Sequence, residues 1–365
     1  MHRTIKGFDG IRGLAVIAVV LTHLGFYTTL TELNLLPQSF VPMINGSTGV
    51  HAFFVLSGFL ITTLLINEFN ANGTISIKNF IVRRTFRIFP LYILFLIVIT
   101  LLHVFGQNVT TWKSLTYAYV YAYNFVPTWL YSNVLGHTWS LAVEEHFYIV
   151  WPSVFMMLFS KHRFALIGLI VTFIASVPVI QFFLINSGIA TGYFVERWSF
   201  ISGSSIAIGC LVAILIGSEQ TARQTRRFAQ HPASLMIGAL LYANSLYLTI
   251  DSWFALNLVT GYLRSVGIAI VIAWLYFNQV GRLVNLLEVR SLKYIGVISY
   301  GIYMFQGLFL GTGPYRNPEQ TWPPSQEIGF VLLLLAAPLS YHYFERPFLR
   351  LKESYSASKA VGANE

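Results

Sequence analysis

Charge is scarce in this sequence. Only 10% of its 365 residues are Asp, Glu, Lys or Arg, against about 25% in an ordinary soluble domain. So few charged groups cannot clothe a globule of this size in water, which excludes a water-borne enzyme or binding module. Cysteine is almost absent. The single Cys210 excludes an intrachain disulfide framework and reads as a small buried apolar side chain. Acidic residues are outnumbered, 14 to 23, for a net charge of +9. The basic residues lie scattered between apolar runs and build no continuous face, so no nucleic-acid partner is expected. The nine histidines do not gather at metal-ligand spacing, apart from His137 and His146, so no metal is expected. Internal repeats and low-complexity segments are absent as well.

Apolar residues are what the chain has in excess, at 55%. Runs long enough to cross a bilayer, about 20 residues each, fall near 12–30, 48–66, 88–105, 139–159 and 164–184. Five more fall near 199–216, 234–250, 258–277, 294–311 and 326–344. The expected fold is therefore all-α, a polytopic integral membrane bundle of about ten transmembrane helices in the lipid bilayer. With alternating loops, most basic residues collect on one side, and only Lys113, Arg197, Arg264 and Arg316 fall on the other. By the positive-inside rule the first side and both termini are cytoplasmic. Asp9 and Arg12 interrupt the first apolar run and no clean cleavage site follows, which reads as an uncleaved first helix. Residues 1–353 form one transmembrane domain, and 354–365 a short, polar, disordered cytoplasmic tail. Residues 107–137 stay outside the membrane, where 112–117 could lie along the interface.

Ionisable groups at membrane depth are costly and hence functional candidates. Arg12 and His23 are separated by eleven positions on the first helix. At 100° per residue that leaves them on one face, about 16 Å apart along the axis. Asp9, three residues before Arg12, can pair with it; the pair could equally serve only to lock the helix against its neighbours. Gly7, Gly10 and Gly13 permit close backbone approach, for packing rather than phosphate binding. A neutral imidazole at His23 could take a proton from a hydroxyl, as general-base acyl transfer requires; the plain alternative is a satisfied buried histidine. The segment Thr138–Tyr148 brings adjacent carboxylates, Glu144 and Glu145. Ser140, Glu144 and Tyr148 share a stripe at i, i+4 spacing, which favours Glu144 as the inward carboxylate, able to orient His23. Both glutamates at a wet interface is the other reading. Arg83, Arg84 and Arg87 stand at the cytoplasmic mouth of the third span. They could hold a polyphosphate or act as orientation anchors.

Together these stretches resemble the acyltransferase-3 family of bacterial membrane O-acyltransferases. The matching motifs are Phe8–Ala15 with His23, Gly49–Ile61 including Ser57, Arg83–Pro90, Thr138–Tyr148 with Trp139, Ile298–Tyr303 with Tyr300 and Tyr303, and Tyr343–Pro347 with Glu345. They are ordered along the whole chain. Two positions depart from the family pattern. Gln306 stands where a histidine is usual and cannot act as a base, and His146 stands where a glutamine is usual. The sequence also shows no appended esterase-like domain of the kind some relatives carry. The resemblance implies an acyl-CoA donor, most often acetyl-CoA, bound from the cytoplasm of a bacterium at its plasma (inner) membrane. It also implies a hydroxyl acceptor, on a cell-surface glycan such as lipopolysaccharide O-antigen or exopolysaccharide; a peptidoglycan-type sugar and a secreted small molecule offer hydroxyls as well, and the sequence does not choose among them. On this reading Arg84 and Arg87, helped by Arg83, hold the nucleotide phosphates, and Arg12 lines the path of a pantetheine arm. That arm is of the same order as the Arg12–His23 separation. His23 is the base and Glu144 its electrostatic partner. Ser57, Trp139, Ser140, Tyr148, Tyr300, Tyr303 and Glu345 support the site. Ser57 or Ser140 could instead carry a covalent acyl group, but neither has a base in certain reach. A transporter or flippase lined by the same Arg, His and Glu, or a scaffold merely locked by them, are the rival readings.

Overall fold

Backbone N–H and C=O groups at membrane depth must bond within their own segment, and helices meet that demand. The computed structural model describes residues 5–35, 46–107, 110–189, 192–247, 253–311 and 322–355, and the described residues contain no strand. In chain order the helices are α1 (Phe8–His23), α2 (Phe26–Glu32), α3 (Gly46–Asn72), α4 (Ile77–Val104), α5 (Trp112–Tyr119) and α6 (Thr138–Phe159). Next come α7 (Arg163–Asn186), α8 (Gly192–Val195), α9 (Ser199–Gly217), α10 (Glu219–Gln230), α11 (Pro232–Tyr247) and α12 (Trp253–Phe277). The chain closes with α13 (Arg282–Leu287), α14 (Arg290–Val297), α15 (Ser299–Phe309), α16 (Gln326–Leu339) and α17 (Arg346–Glu353). A π-helical turn at Ser340–Glu345 joins the last two.

The all-helical membrane architecture is the one expected. Five stretches among the described residues are both long and apolar enough to cross a bilayer: α3, α4, α7, α9 and Gln326–Lys352. Shorter apolar stretches cover Pro232–Ala243 and Gly261–Phe277. Several boundaries differ from expectation. The first expected span, 12–30, breaks at Gly25, whose φ of +67° suits glycine alone without strain. There the N–H groups of Leu24 and Gly25 bond back to the carbonyls of Val20 and Thr22 and close α1. The expected span 294–311 is split between α14 and α15. The third begins earlier, at Ile77, because the Ser76 side chain accepts the Asn79 N–H and caps it. Arg83, Arg84 and Arg87 therefore ride on α4 itself. Residues 107–137, left without an element, contain α5, and the basic stretch after α9 is the helix α10. Of the expected tail 354–365, all beyond Tyr355 lies outside the described residues.

The chain divides into two compact units. Unit 1 comprises Met1–Asn67 and Leu158–Val297. Its core gathers Phe8, Val55, Phe59, Ile208, Ile272 and Leu275, with the rings of Phe8 and Phe59 edge-to-face at 5.7 Å. Within it α1 lies directly against α13 and α14. A Cβ at Gly10 would strike the carbonyl of Leu287, one at Gly13 the carbonyl of Leu292, and one at Gly296 the carbonyl of Asp9. The close-approach reading of these glycines is thus correct for Gly10 and Gly13, while Gly7, at φ +88°, precedes the first turn of α1. α3 and α9 meet in the same way, Gly58 on Ile206 and Gly209 on Val55. α7 instead turns large apolar side chains such as Phe164 and Phe183 outward, as a lipid-facing helix does.

Unit 2 comprises Glu68–Met157 and Ile298–Glu365. Glu68 is its anchor. One carboxylate oxygen accepts the Ser76 N–H at 2.9 Å and the other pairs with Arg83 at 2.8 Å. Tyr92 donates to the carbonyl of Ala118 at 2.7 Å and so ties α5 to α4. Tyr300 donates to the carbonyl of Ile88 at 2.7 Å and ties α15 to the same helix.

A methyl group at Gly296 has only backbone in its way. Gly296→Ala should cost about 1 to 3 kcal/mol and lower the thermal midpoint of the detergent-solubilised protein. Gly168→Ala on α7, where nothing lies within 4 Å of the new Cβ, should leave the midpoint unchanged or raise it slightly. Equal midpoints for the two variants would contradict the packing described.

Candidate active site

Unit 1 carries Asp9, Arg12 and His23 on one unbroken helix. Asp9 and Arg12 pair at 3.0 Å, with 34% and 22% of their side chains exposed, as the i, i+3 spacing requires. Because α1 is continuous from Phe8 to His23, the eleven-residue interval holds Arg12 and His23 on one face about 16 Å apart. The break at Gly25 puts His23 in the last helical turn, half-buried, beside the negative end of the helix dipole. Ser57 is half-buried on α3 in the same unit.

Unit 2 carries the arginine cluster, and its members are not equivalent. Arg83 is held by Glu68 and by the carbonyl of Tyr355 at 2.8 Å. Arg84 lies over the rings of Phe80 and Tyr148, 5.5 and 5.7 Å from their centroids. Its Nε is buried with no hydrogen-bond partner among the described residues. Arg87 lies within electrostatic reach of Glu345, which is buried in the π turn and accepts from Ser340 at 3.2 Å. Ser140 and Tyr303 join hydroxyls at 2.7 Å, and Trp139 is half-buried at the start of α6.

Sequence reasoning favoured Glu144. The carboxylate oxygen that is buried without a hydrogen bond belongs to its neighbour Glu145, which lies within electrostatic reach of Arg84 and of Glu144. Tyr121, not singled out from the sequence, adds a third buried polar atom with no hydrogen-bond partner among the described residues, its hydroxyl. It stacks on Tyr92 and Phe89 at 4.3 and 5.1 Å and holds φ +54°, a conformation costing a non-glycine residue roughly 1 kcal/mol or more. Burial, with Glu145 and Tyr92 behind it, pushes its phenol well above the ordinary range. The position in an unassigned segment hid it. Gln306, which replaces the family's usual histidine, is 0% exposed, and neither end of its amide has a hydrogen-bond partner among the described residues. Next to it, a Cβ at Gly307 would strike the His137 ring. Among the described residues no three His, Cys, Asp or Glu side chains gather as a metal site would require.

A helical integral membrane protein that carries paired and unpaired ionisable groups along its apolar helices is the class defined so far. The chain belongs to the acyltransferase family described as "Acyltransferase domain", which matches residues 5–342. It is 28% identical, over 99% of its length, to a Bacillus subtilis protein provisionally named a peptidoglycan O-acetyltransferase, and covers 57% of that relative. It is 32% identical to the peptidoglycan O-acetyltransferase OatA of Listeria monocytogenes, over 44% of this chain and 25% of that one. A Staphylococcus aureus protein provisionally named an O-acetyltransferase is 27% identical over 95% of this chain and 57% of its own. The chain thus spans about half the length, or less, of the curated relatives it matches. No solved structure matches it.

One titration tests the charge environment outside the membrane-spanning helices. Burial lifts the Glu196 carboxyl to about 7, while Arg264 and Arg197 pull in the opposite direction. The neutral acid should therefore persist well above the pH at which an exposed glutamate ionises. The infrared difference spectrum between the protein and Glu196→Gln should show a protonated-carboxyl band that fades with a midpoint of about 7. A midpoint in the ordinary carboxylate range would be the contrary result.

Proposed function

We propose that this chain is a bacterial plasma-membrane O-acyltransferase that moves an acetyl group from cytoplasmic acetyl-CoA to a hydroxyl of a cell-envelope glycan. The observation that carries the reading is α1. It holds Asp9-paired Arg12 and His23 on a single face with a pantetheine-length interval between them. When bound, acetyl-CoA supplies an activated thioester and leaves as the free thiol. His23 takes the proton of the acceptor hydroxyl as that oxygen bonds to the acetyl carbon, and returns it to the departing sulfur. Its place in the last turn of α1 stabilises the imidazolium relative to the same ring in mid-helix.

In unit 2, Arg84 and Arg87 are the groups for the donor's phosphates. The unpaired Nε of Arg84 and the aromatic faces beneath it fit a phosphate-bearing ligand. Arg83, already held by Glu68 and a carbonyl, keeps α4 in place. Glu145 sets the charge around Arg84, with Glu144 acting on Glu145. The names of the Bacillus and Listeria relatives support a peptidoglycan-type acceptor over lipopolysaccharide or exopolysaccharide.

Mass spectrometry of envelope glycans from cells with and without the protein should show an acetyl mass on one glycan only when the protein is present. His23→Ala, folded and inserted, should reduce that acetylation by about 100-fold or more, and wild-type acetylation by this variant would refute the mechanism. Arg84→Gln should raise KM for acetyl-CoA by about ten-fold, the loss of one charge-assisted contact. An unchanged KM would remove Arg84 from the donor site.

A further inference from the structure

A second polar cluster of unit 1 runs along α3, α9 and α12, and the first residue of α3, Gly46, packs against Val19 and Thr22 of α1. Its cation is Arg264 on α12, which donates from NH1 to the Ser47 hydroxyl at 2.9 Å in the first turn of α3. A guanidinium has five N–H donors, and among the described residues this is the only hydrogen bond Arg264 makes. Its Nε is buried with no hydrogen-bond partner there. Glu196, in the turn before α9, is the neighbouring carboxylate and feels both Arg264 and Arg197. Yet the ion pairs of the described residues do not include one between Glu196 and Arg264. Arg197, only 4% exposed, is stacked over the Phe194 ring at 5.0 Å.

The cluster is held firmly. His51 Nδ1 stands 3.0 Å from the hydroxyls of both Ser205 and Ser265, which are 2.9 Å from each other. Ser265 donates in turn to the carbonyl of Gly261. This network pins α3, α9 and α12 together and sets the His51 ring within electrostatic reach of Arg264. Only four basic residues fall on the side expected to be outside, Lys113, Arg197, Arg264 and Arg316. Two of them, Arg197 and Arg264, lie within electrostatic reach of Glu196. Cations on that side work against the orientation rule, so a half-used guanidinium fork there calls for a ligand. A half-buried fork of this kind, its Nε buried, matches a planar or tetrahedral oxyanion.

We propose that Arg264, positioned through Ser47 and the His51 network, is an oxyanion subsite that recognises a charged group of the acceptor, a sugar carboxylate or a sugar phosphate. The word acceptor rests on the acyltransferase reading above; the binding itself does not. It makes the enzyme selective for acidic glycan units over neutral ones.

The test is calorimetric binding to the full-length, detergent-solubilised protein without donor, using three probes: N-acetylmuramic acid, N-acetylglucosamine 1-phosphate and N-acetylglucosamine. At least one charged sugar should bind about ten-fold or more tightly than the neutral one. The carboxylate and phosphate arms identify which oxyanion is read. Arg264→Gln should abolish the preference with an unchanged thermal midpoint and unchanged acetyl-CoA binding, and Arg264→Lys should restore part of it. Equal binding of the three sugars, no binding by any, or a preference that survives Arg264→Gln overturns the proposal. An Arg264-dependent preference in a protein that transfers no acetyl group would sink the acyltransferase reading and leave the subsite standing.

Discussion

Everything at the Arg12 end of α1 depends on one backbone contact. Gly296 lets α14 press against the carbonyl of Asp9, and Asp9 is the residue that pairs with Arg12. A guanidinium in an apolar helix is tolerable only when a partner offsets its desolvation. Here the partner's own backbone is fixed by helix packing, so the charge and the packing form one device. Lipid tails are as apolar as leucine, so helices gain little from hiding apolar surface against one another. Close approach through small residues supplies the association instead. The α3 and α9 pair repeats the arrangement with Gly58 and Gly209.

Unit 2 solves a related problem with a division of labour. Three arginines within one helical turn would repel one another if all were left free. Arg83 is neutralised by Glu68, whose other oxygen also holds the N–H of the α4 cap residue Ser76. Arg84 is screened by aromatic faces, and Arg87 has Glu345 in reach. The result leaves Arg84 as the arginine with a buried donor to spare. Within its reach Glu145, and within reach of Glu145 the Tyr121 hydroxyl, have polar atoms without a hydrogen bond among the described residues. Such groups are rare in folded proteins and concentrate where ligands bind.

Much of this was legible before any coordinates, because membrane insertion writes long apolar runs and the helix period fixes which residues share a face. The Asp9–Arg12 pair and the common face of Arg12 and His23 follow from spacing alone. The α1 break did not, since hydropathy averages over Gly25 while the backbone responds to its permitted φ. The i, i+4 stripe favoured Glu144 as the inward carboxylate and partner of His23. The buried oxygen without a hydrogen bond and the reach to Arg84 belong instead to Glu145, which packing of α6 and not helical period determines. The partners of His51 lay hidden because Ser205 and Ser265 sit within apolar runs and meet it only in three dimensions. Tyr121 was missed for a different reason, as its role comes from a strained backbone that no side-chain pattern reports. Arg197 and Arg264 were visible only as exceptions to the charge asymmetry.

The central claim is that ionisable groups inside this helical bundle pass an acetyl group from one side of the membrane to the other. Purified protein in sealed vesicles of known orientation, given isotopically labelled acetyl-CoA on the cytoplasmic face and a glycan acceptor on the opposite face, tests it most directly. Label should appear on the acceptor without the intact donor or acceptor changing sides. Acceptor crossing the membrane unlabelled, or label accumulating only on the donor's own face, would contradict the account.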